Sequence, residues 1–514
     1  EGGTDQKKYD RQLRLWGEAA QARIEATKVM SIGSDAVATE FMKSVILPGM
    51  GAVSIADSHI VDDDDLETNF FIEVSDKGKK RGQRALENLL ELNDRVSGEF
   101  HDMDIVSVLN DASLLQAYDI FVCTNQPHQH VVSLSKRTTK PVFEVAVNGY
   151  VGMVKVYVQS HVIFDDGNVD IPMDLRVLSP FPELQKLYSS IDITKLSKDD
   201  HQHLPFPLIL IWALEEWRRQ TNNPSGHPRT RQEKADLKEI IKKQAFNFYL
   251  EENFGEAYQY AFYCWQETPI SVKRLLGDVR CQSSLRGMTK EQAEFWAFIG
   301  AVKQFNDAHG RLPVDSGIKD MISSNEMFLA LQNAYNTQLD EDAAEILALV
   351  NKRLHNDEMD HAVTLTIDTV KMHCKALRKM HVIDGVDGDA NQTWEGEAFQ
   401  LDEPGSCLMY LAVFYASLAF QDKYGRAPVG DADKAELQAL TGEVLRAKGA
   451  SHPVDDFCID QFVRYGGVQL HTVGAVIGSF VGQEVIKYAS HKFGALDNTF
   501  LFNTETCLSL HGRY

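Results

Sequence analysis

The segment 8–17 carries distinctive chemistry, because two arginines stand among large apolar side chains. Leu13 and Trp16 predict a helix that packs on the rest of the domain. A guanidinium fixed at the edge of a fold could also bind an anion, since it stays charged and its planar fork matches phosphate oxygens. Arg11 and Arg14 are the two candidates for that role.

A second candidate site follows the first predicted strand, where nucleotide-binding folds wrap phosphate with backbone N–H groups. Glycines are needed there because a side chain would hold the backbone away from the phosphate. The sequence reads GSDAVA from Gly33, so the later glycines are absent and Asp35 would place a negative charge beside the anion. That repulsion is on the order of a few kcal/mol in a partly screened site. Asp35 could equally cap the next helix, and either role predicts a closed phosphate site.

Two acidic features follow the second predicted strand. Asp57 stands where an acid could bind a ribose hydroxyl, but without the later glycines we interpret it as a strand-end residue. The four consecutive aspartates at 62–65 could be imagined as a divalent-cation site. Consecutive carboxylates diverge around an extended chain, however, so we expect a solvated loop there and no metal site.

The histidine and cysteine patterns do not indicate a metal site either. His128 with His130, and His201 with His203, form His-x-His pairs without an obvious third ligand nearby, so we interpret all four as loop histidines. The seven cysteines are scattered and never form Cys-x-x-Cys, which gives neither a zinc ribbon nor a disulfide framework. This usage predicts a reducing compartment, and we expect a cytoplasmic protein, with the nucleus left open as a second location.

The length, net charge and apolar runs of the whole chain narrow the class of protein further. At 514 residues the chain should form two or three domains. The formal net charge of −22 argues against a protein that binds a nucleic-acid backbone, because phosphate contacts need clustered Lys and Arg. No apolar run approaches the length needed to span a bilayer. We therefore expect neither nucleic acid nor membrane as a partner.

Short strands alternate with helices in the first third of the chain. Lys28–Ile32 and Ala52–Ala56 are predicted strands joined by a helix, and two more strands are predicted at 119–123 and 141–147. This rhythm predicts parallel strands with crossover helices, so the fold class is α/β, with a doubly wound, Rossmann-like sheet. The segment 150–158 alternates with a period of two and is predicted as a strand leaving that sheet.

Long helices replace this rhythm in the middle of the chain. A capping box at Thr289 predicts the start of one helix, and Gly310 predicts its end. The small-residue segment 474–487 predicts a helix suited to close packing on a sheet. The sequence thus predicts two halves of one α/β domain, 1–164 and 461–514, split by a mainly helical inserted domain, 165–460.

Several motifs resemble the adenylation domains of ubiquitin-like-modifier activating enzymes. Tyr9-Asp10-Arg11-Gln12 matches a Tyr-x-Arg-Gln motif that precedes the first strand in that family. The other matching motifs are LPG at 47–49, ETNFF at 67–71, RYGG at 464–467 and QEVIK at 483–487. The resemblance covers most of both α/β segments, and it implies that the helical block is the family's inserted domain without a catalytic cysteine.

The resemblance also indicates which half of a paired enzyme this chain is. An active half would carry a full glycine-rich loop, a polar Asn-x-x-Arg-Gln stretch after the second strand, and usually Cys-x-x-Cys zinc ligands. This sequence has none of the three, so it resembles an inactive, pseudo-adenylation half. DMI at 320–322 and LQN at 331–333 are similar to the regulatory subunits of heterodimeric neddylation-activating enzymes. The implied partner-binding residues are Asp320, Met321, Leu331 and Asn333.

The resemblance implies a chain that is not an enzyme on its own. Arg11 aligns with an arginine that reaches the ATP phosphates held by the active partner, which would make it an arginine finger supplied in trans. The partner would bind Mg·ATP and carry the cysteine that accepts the ubiquitin-like modifier, so no cofactor is expected in this chain. Three alternatives stay open: the regulatory subunit of a SUMO-activating heterodimer, which is expected to have a much shorter insert, an autonomous nucleotide-dependent enzyme, and a pure scaffold.

Overall fold

The chain folds into two compact units. It forms the first part of unit 1, then unit 2, and then returns to form the second part of unit 1. The computed structural model describes residues 8–167, 174–315, 318–359, 361–385, 393–450 and 452–514. Unit 1 takes the described residues of Glu1–His161 and Val382–Tyr514, and unit 2 takes those of Val162–His381. No helix within these described ranges has the length and apolar character needed to cross a membrane.

The first division between the units lies close to the predicted boundary at 164, but the second differs from the predicted boundary at 460. The described residues of 382–460 belong to unit 1 because helices between 407 and 465 pack on its sheet. The buried side chains of Met153 and Leu501 on the sheet share one hydrophobic cluster with Leu411 and Phe414 from these helices. Helical periodicity cannot indicate which surface a helix covers, so it could not show that the helices before residue 460 belong with the sheet.

One large sheet forms the centre of unit 1. The described strands of the chain are β1 (Lys28–Ile32), β2 (Ala52–Ala56), β3 (Phe100–His101), β4 (Ile120–Thr124), β5 (Val142–Asn148), β6 (Val151–Tyr157), β7 (Ser160–Ile163), β8 (His381–Asp384), β9 (Thr499–Asn503) and β10 (Leu508–Gly512). Eight of them form a sheet in the order β10-β9-β6-β5-β4-β1-β2-β3, and β7 pairs with β8.

The strand directions confirm the predicted α/β fold class. Strands β3, β2, β1, β4 and β5 run parallel, as a doubly wound sheet requires. The prediction for 150–158 was wrong about its place: β6 stays in the sheet, antiparallel to both β5 and β9. Its residues Val151 to Val156 are buried on both faces, which keeps the strand inside the sheet.

Helices cover both faces of the parallel part. They are α1 (Asp10–Trp16), α2 (Glu18–Ala26), α3 (Ala36–Ile46), α4 (Asp63–Thr68), α5 (Arg81–Leu90), α6 (Ile105–Leu109), α7 (Ala112–Ala117) and α8 (His128–Arg137). Helix α3 forms because Val37, Phe41 and Val45 recur at helical spacing, and all three are fully buried.

Unit 2 is mainly helical. Its helices are α9 (Pro182–Ser189), α10 (Lys198–Gln202), α11 (Phe206–Gln220), α12 (Arg231–Gln244), α13 (Glu252–Gln259), α14 (Ile270–Gly277), α15 (Lys290–His309), α16 (Asn325–Asn356) and α17 (Ile367–Ala376). The capping box predicted at Thr289 is present, and Gly310 ends α15 in the left-handed conformation. Both predicted ends of this helix are therefore confirmed.

The chain returns to unit 1 with four more helices: α18 (Cys407–Tyr424), α19 (Asp431–Ala447), α20 (Asp456–Tyr465) and α21 (His471–Ser490). Helix α21 was predicted to use its small residues against a sheet, but its glycines lie against helix α3. A Cβ on Gly478 would stand 2.7 Å from the Cβ of Glu40, and one on Gly482 would stand 2.4 Å from the Cβ of Ser44. The glycines let two helices approach closely and hold α3 in place.

Candidate functional site

The loop between β1 and α3 is held by side chains of unit 1 itself. Gly33 has a φ of +108°, which favours glycine. Asp35 is the N-cap of α3 and accepts a hydrogen bond from the backbone N–H of Ala38 at 3.0 Å. Its other oxygen accepts from Nδ2 of Asn125 at 2.9 Å and from Nε2 of Gln469 at 3.0 Å. Both carboxylate oxygens are thus used internally, which confirms the capping role.

Asp57, the residue after β2, lies at the centre of a buried ion-pair network. Its Oδ1 is 2.7 Å from Nδ1 of His59. Its Oδ2 accepts hydrogen bonds from the Ser34 hydroxyl and from Nε of Arg81, the latter at 3.0 Å. Nη1 of Arg81 in turn donates to Oδ1 of Asp65 at 3.0 Å. Only 2% of the Asp57 side chain and 14% of the Arg81 side chain are exposed, so this is an internal network.

The charges in this network shift one another's protonation. Burial alone would raise the pKa of Asp57, but the hydrogen bond from His59 and the charge of Arg81 hold that pKa well below its usual range. The bond to Asp57 raises the pKa of His59. Burial raises the pKa of Asp65 more than Arg81 lowers it. Asp57 is therefore ionised at neutral pH and already engaged by a cation.

The acidic run at 62–65 is not the solvated loop that the sequence predicted. Asp62 and Asp65 form a capping box that starts helix α4, with the Asp65 N–H donating to Asp62 at 3.0 Å. Asp65 is buried and bonds to Arg81, as described above. Carboxylates in a first helical turn interact favourably with the helix dipole, so consecutive aspartates nucleate a helix here instead of diverging in solvent.

The segment after α4 fills the space beside the loop of β1. Asn69 donates from Nδ2 to the carbonyl oxygen of Ser34 at 3.0 Å, and its Oδ1 accepts from the Thr39 hydroxyl at 3.0 Å. Phe71 is buried in the main cluster of unit 1, whereas Phe70 is 76% exposed. The asparagine amide therefore fixes this protein's own backbone and is not free for a phosphate.

Tyr9 anchors the N-terminal helix α1 to unit 1. Its side chain is 5% exposed. The phenolic oxygen accepts a hydrogen bond from Nδ2 of Asn93 at 3.1 Å. Gly49, with a φ of +88°, leaves room for the ring, since a Cβ there would stand 2.7 Å from that oxygen. The LPG motif thus has a physical role, because its glycine seats the tyrosine that fixes α1.

The two arginines of α1 differ in their surroundings. Arg14 forms an exposed ion pair with Asp10 in the same helix at 3.0 Å. Arg11 is exposed, and no described residue forms an ion pair or hydrogen bond with it. An anion would therefore meet a free guanidinium at Arg11 and a partly neutralised one at Arg14. The structure thus gives a physical ground for favouring Arg11 over Arg14.

The residues predicted to bind a partner lie in unit 2, around the start of α16. Asp320 and Asn333 are exposed, and Met321 is half-buried. Leu331 is fully buried, so it packs inside unit 2. Oδ1 of Asp320 accepts from the Met321 N–H at 3.0 Å. Asp320 and Asn333 are therefore the two of these four residues whose side chains are most open to a partner.

All seven cysteines lie within the described ranges, and none has the low pKa of an activated nucleophile among the groups with a resolved shift. Burial raises the pKa of Cys281 to about 11 and that of Cys374 to about 12. Burial also raises the pKa of Cys407, while Cys507 is exposed. The remaining three thiols are buried, and burial raises their pKa values as well: Cys123, Cys264 and Cys458.

The interpretation of the His-x-His pairs as loop residues was wrong for three of the four histidines. His128 and His130 lie in α8, and His201 lies in α10. His201 is 1% exposed and its Nδ1 is 3.2 Å from Oε2 of Glu251. Within the described part of the chain, no group of three or more His, Cys, Asp or Glu side chains has an arrangement that could hold a metal ion.

Sequence reasoning missed Arg81 and His59. Arg81 is the first residue of α5, where a cation opposes the helix dipole. That unfavourable position is the one sequence signal that the arginine has acidic partners elsewhere in the fold. Nothing in the spacing indicates which acids they are, because Asp57 and Asp65 become neighbours of Arg81 only when β2, α4 and α5 pack together.

Comparisons with known proteins agree with this architecture. The model of the ThiF family matches residues 9–509. The NEDD8-activating enzyme E1 regulatory subunit of Danio rerio is 30% identical over 97% of this chain and 97% of its own length. Proteins of the same name from Xenopus laevis and Drosophila melanogaster are each 28% identical, over 97% and 98% of this chain and 96% of their own lengths. The matches span both units.

Proposed function

The chain belongs to the ThiF family, and we propose that it is the regulatory subunit of a heterodimeric enzyme that activates the ubiquitin-like modifier NEDD8. In this proposal it dimerises with a catalytic adenylating subunit and does not itself adenylate the modifier. The names of relatives that align over nearly the whole chain support this function.

The observation that carries the non-catalytic assignment is the engagement of Asp57. In nucleotide-binding members of this fold class, an acid at the end of the second strand binds a ribose hydroxyl. Here one oxygen of Asp57 is bonded to His59 and the other to Arg81 and Ser34. A nucleotide would have to displace a buried ion pair, and breaking such a pair costs about 3–5 kcal/mol.

The proposed contribution of this chain to chemistry is the guanidinium of Arg11. It would approach the phosphates of ATP bound in the partner and stabilise the negative charge that develops during adenylation. Its support is geometric: α1 is anchored through buried Tyr9, and the Arg11 side chain is exposed without a partner among the described residues. A fixed backbone and a free cation are what a residue acting in trans needs.

The remaining chemistry is assigned to the partner. The partner would bind Mg·ATP, and the C-terminal carboxylate of the modifier would attack the α-phosphate with release of pyrophosphate. A cysteine thiolate of the partner would then displace AMP and form the thioester. The raised pKa values of Cys281 and Cys374 support this division, because thiols that stay protonated are poor nucleophiles.

Unit 2 is proposed to contribute to the surface that meets the partner or the modifier. Asp320 and Asn333 are the exposed positions for such a contact, and half-buried Met321 follows Asp320 in the sequence. Leu331 would act indirectly, by holding the first turns of α16 in place from inside unit 2.

ATP–pyrophosphate exchange tests the proposal. We expect no exchange with the purified chain and modifier, and clear exchange when the catalytic subunit of a NEDD8-activating enzyme is added. Robust exchange by the chain alone would contradict the proposal and favour an autonomous enzyme. Restoration by the catalytic subunit of a SUMO-activating enzyme, but not by that of a NEDD8-activating enzyme, would correct the pathway.

A further inference from the structure

A cleft with a volume of about 700 Å³ lies within unit 1, away from the loop of β1. One wall is a face of helix α8 that carries His128, Val132 and Lys136, which recur at helical spacing. Another part of the lining comes from the end of β6, including Lys155 and Tyr157. Its volume lies within the range of small-molecule sites, roughly 300–1,000 Å³.

The charge of this cleft is opposite to that of the whole chain. Four of its lining residues are Lys or Arg and one is Asp, although the chain carries a formal net charge of −22. Several of these cations are already engaged. Lys140 pairs with Asp119 at 3.1 Å, and Arg513 pairs with Asp497 at 2.8 Å.

Lys155 is also engaged, whereas Lys136 is not. Lys155 is 4% exposed, and its Nζ donates to the Tyr415 hydroxyl at 3.1 Å. Lys136 is exposed and has no ion pair or hydrogen bond with any described residue. The ammonium of Lys136 is therefore the cation of this cleft that an incoming anion could neutralise.

His128 is the second group available to an anion. Its Nδ1 lies 2.8 Å from Oε1 of Glu144, whose other oxygen accepts from the Tyr157 hydroxyl at 2.7 Å. Glu144 is 2% exposed, while 32% of the His128 side chain is exposed. The carboxylate thus fixes the orientation of the ring, and Nε2 has no partner among the described residues.

The electrostatic surroundings of His128 favour its charged form. Burial alone would lower the pKa of His128, but the hydrogen bond and charge of Glu144, with the charge of Asp422 on α18, raise it overall. Lys155 on β6 opposes this shift. The phenol of Tyr157 faces the same carboxylate. The imidazole therefore becomes an N–H donor on both nitrogens at a higher pH than an isolated histidine does.

We propose that this cleft binds a small multivalent oxyanion, held by Nε2–H of His128 and the ammonium of Lys136. The two residues are eight positions apart on one face of α8, which corresponds to about 12 Å along the helix axis. A compact ligand with at least two anionic groups, phosphate or carboxylate, is shorter than this distance. It would contact both residues because the long side chain of Lys136 leans back toward the N-terminal end of α8, where His128 lies. The site is separate from the loop of β1, and the proposal does not depend on the proposed regulatory role.

Binding of two probes to the full chain tests this proposal. Inorganic pyrophosphate and citrate supply phosphate and carboxylate chemistry, and isothermal titration calorimetry would measure each at about pH 6 and about pH 8, on either side of an ordinary histidine pKa. We expect at least one probe to bind with a millimolar or lower dissociation constant, and more tightly at the lower pH. His128→Gln and Lys136→Gln should each weaken that binding by about tenfold, since each removes a charge-assisted hydrogen bond.

His511→Gln is the matched control, because His511 is exposed and does not line the cleft. It should leave the affinity and its pH dependence unchanged. Failure of both probes to bind at millimolar concentration would overturn the proposal, and so would binding that His128→Gln and Lys136→Gln leave intact. The ATP–pyrophosphate exchange of the assembled heterodimer reports on the proposed function separately, so failure of one proposal would not be mistaken for failure of the other.

Discussion

Arg81 and Arg11 are two guanidiniums of unit 1 with opposite surroundings. The side chain of Arg81 is 14% exposed, and it donates hydrogen bonds to Asp57, Asp65 and Ser34. Arg11 is exposed, and no described residue pairs with it. One cation is bonded to carboxylates at the strand end where this fold class binds a ribose hydroxyl. The other has no ion pair or hydrogen bond within the described residues.

Under the proposed function, this difference would let a fold lose a binding site and keep a role in the same chemistry. A buried guanidinium has already lost its hydration, and its carboxylate partners compensate for that loss only while they stay in place. It cannot turn toward a ligand without leaving Asp57 and Asp65 as uncompensated charges. An exposed guanidinium on an anchored helix has no such constraint.

The largest expected effect comes from removing the buried guanidinium of Arg81. Arg81→Met should lower the free energy of unfolding of unit 1 by about 3–5 kcal/mol, because it leaves the buried Asp57 charge without its cation. Hydrogen exchange of the backbone amides of β1 and β2 would measure this local loss. Asp57→Asn combined with Arg81→Met should recover part of it, since the uncompensated charge is gone.

Arg14→Ala is the control for that measurement, because its pair with Asp10 is exposed. Such surface pairs contribute roughly 0–1 kcal/mol, so the amides of β1 and β2 should exchange as in the wild type. Equal losses of amide protection in Arg81→Met and Arg14→Ala would show that the network around Asp57 stabilises the fold no more than a surface ion pair does.

The next largest effect comes from removing the exposed guanidinium of Arg11. Arg11→Ala should lower the ATP–pyrophosphate exchange rate of the assembled heterodimer by on the order of 10²-fold, as expected when one group that stabilises transition-state charge is removed. The purified variant should fold normally, because the Arg11 side chain is exposed and forms no ion pair or hydrogen bond with the described residues.

Arg14→Ala serves as the matched control on the same helix and should change the exchange rate less than about twofold, since a pair contributing well under 1 kcal/mol is lost. If Arg11→Ala leaves the rate unchanged, the chain is a scaffold that touches no nucleotide chemistry. If Arg14→Ala has the larger effect, the assignment between the two arginines is reversed.

A smaller effect concerns pH. The pKa of Asp57 lies well below its usual value in the folded protein, so its ionised form stabilises the fold above about pH 4, the ordinary aspartate pKa. That stabilisation is lost as pH falls through the acid range toward the folded-state pKa, by a few kcal/mol at most. The raised pKa of Asp65 has the opposite sign and offsets part of the loss.

Urea denaturation at several acidic pH values would measure this dependence. Asp57→Asn should be less stable than the wild type at neutral pH, and its stability should fall less steeply in acid. A parallel decline in both proteins would mean that other carboxylates cause the acid sensitivity.

The smallest effect belongs to His59, whose pKa is raised mainly by its hydrogen bond to Asp57. Its imidazolium stabilises the fold below about pH 6.5, the unfolded value, and that contribution disappears as pH rises through the folded-state pKa. The side chain is 65% exposed, so solvent screening should keep the contribution below about 1 kcal/mol. His59→Gln should reduce the change in the urea midpoint of unfolding between slightly acidic and slightly alkaline pH. Exposed His511→Gln should leave that change as it is in the wild type.

Local periodicity was sufficient for much of the fold. The strands Lys28–Ile32 and Ala52–Ala56 were predicted with the bounds that the structure has, because buried parallel strands read as short apolar runs. The capping box at Thr289 and the stop at Gly310 were equally local. In the site, the absent glycines could be read directly from the sequence, and capping by Asp35 was one of the two roles that it allowed.

Other features depend on partners distant in the sequence. The aspartates at 62–65 form a helix start and supply a buried partner for Arg81, neither of which their composition indicates. The small-residue helix α21 packs on another helix, although small residues fit a sheet equally well. The cleft beside α8 brings together His128, Glu144 and Tyr157 from three elements, and no spacing rule connects them.

The sequence by itself determined the fold class, the missing phosphate loop and the presence of a cationic N-terminal helix. Each of these is a property of residues within a few positions of one another, where steric and hydrogen-bonding preferences act locally. The tertiary structure alone decided that buried carboxylates bind Arg81 and that Arg11 has no ion pair or hydrogen bond within the described residues. Charge pairing falls off within a few ångströms, so it depends on which side chains the packed elements bring together.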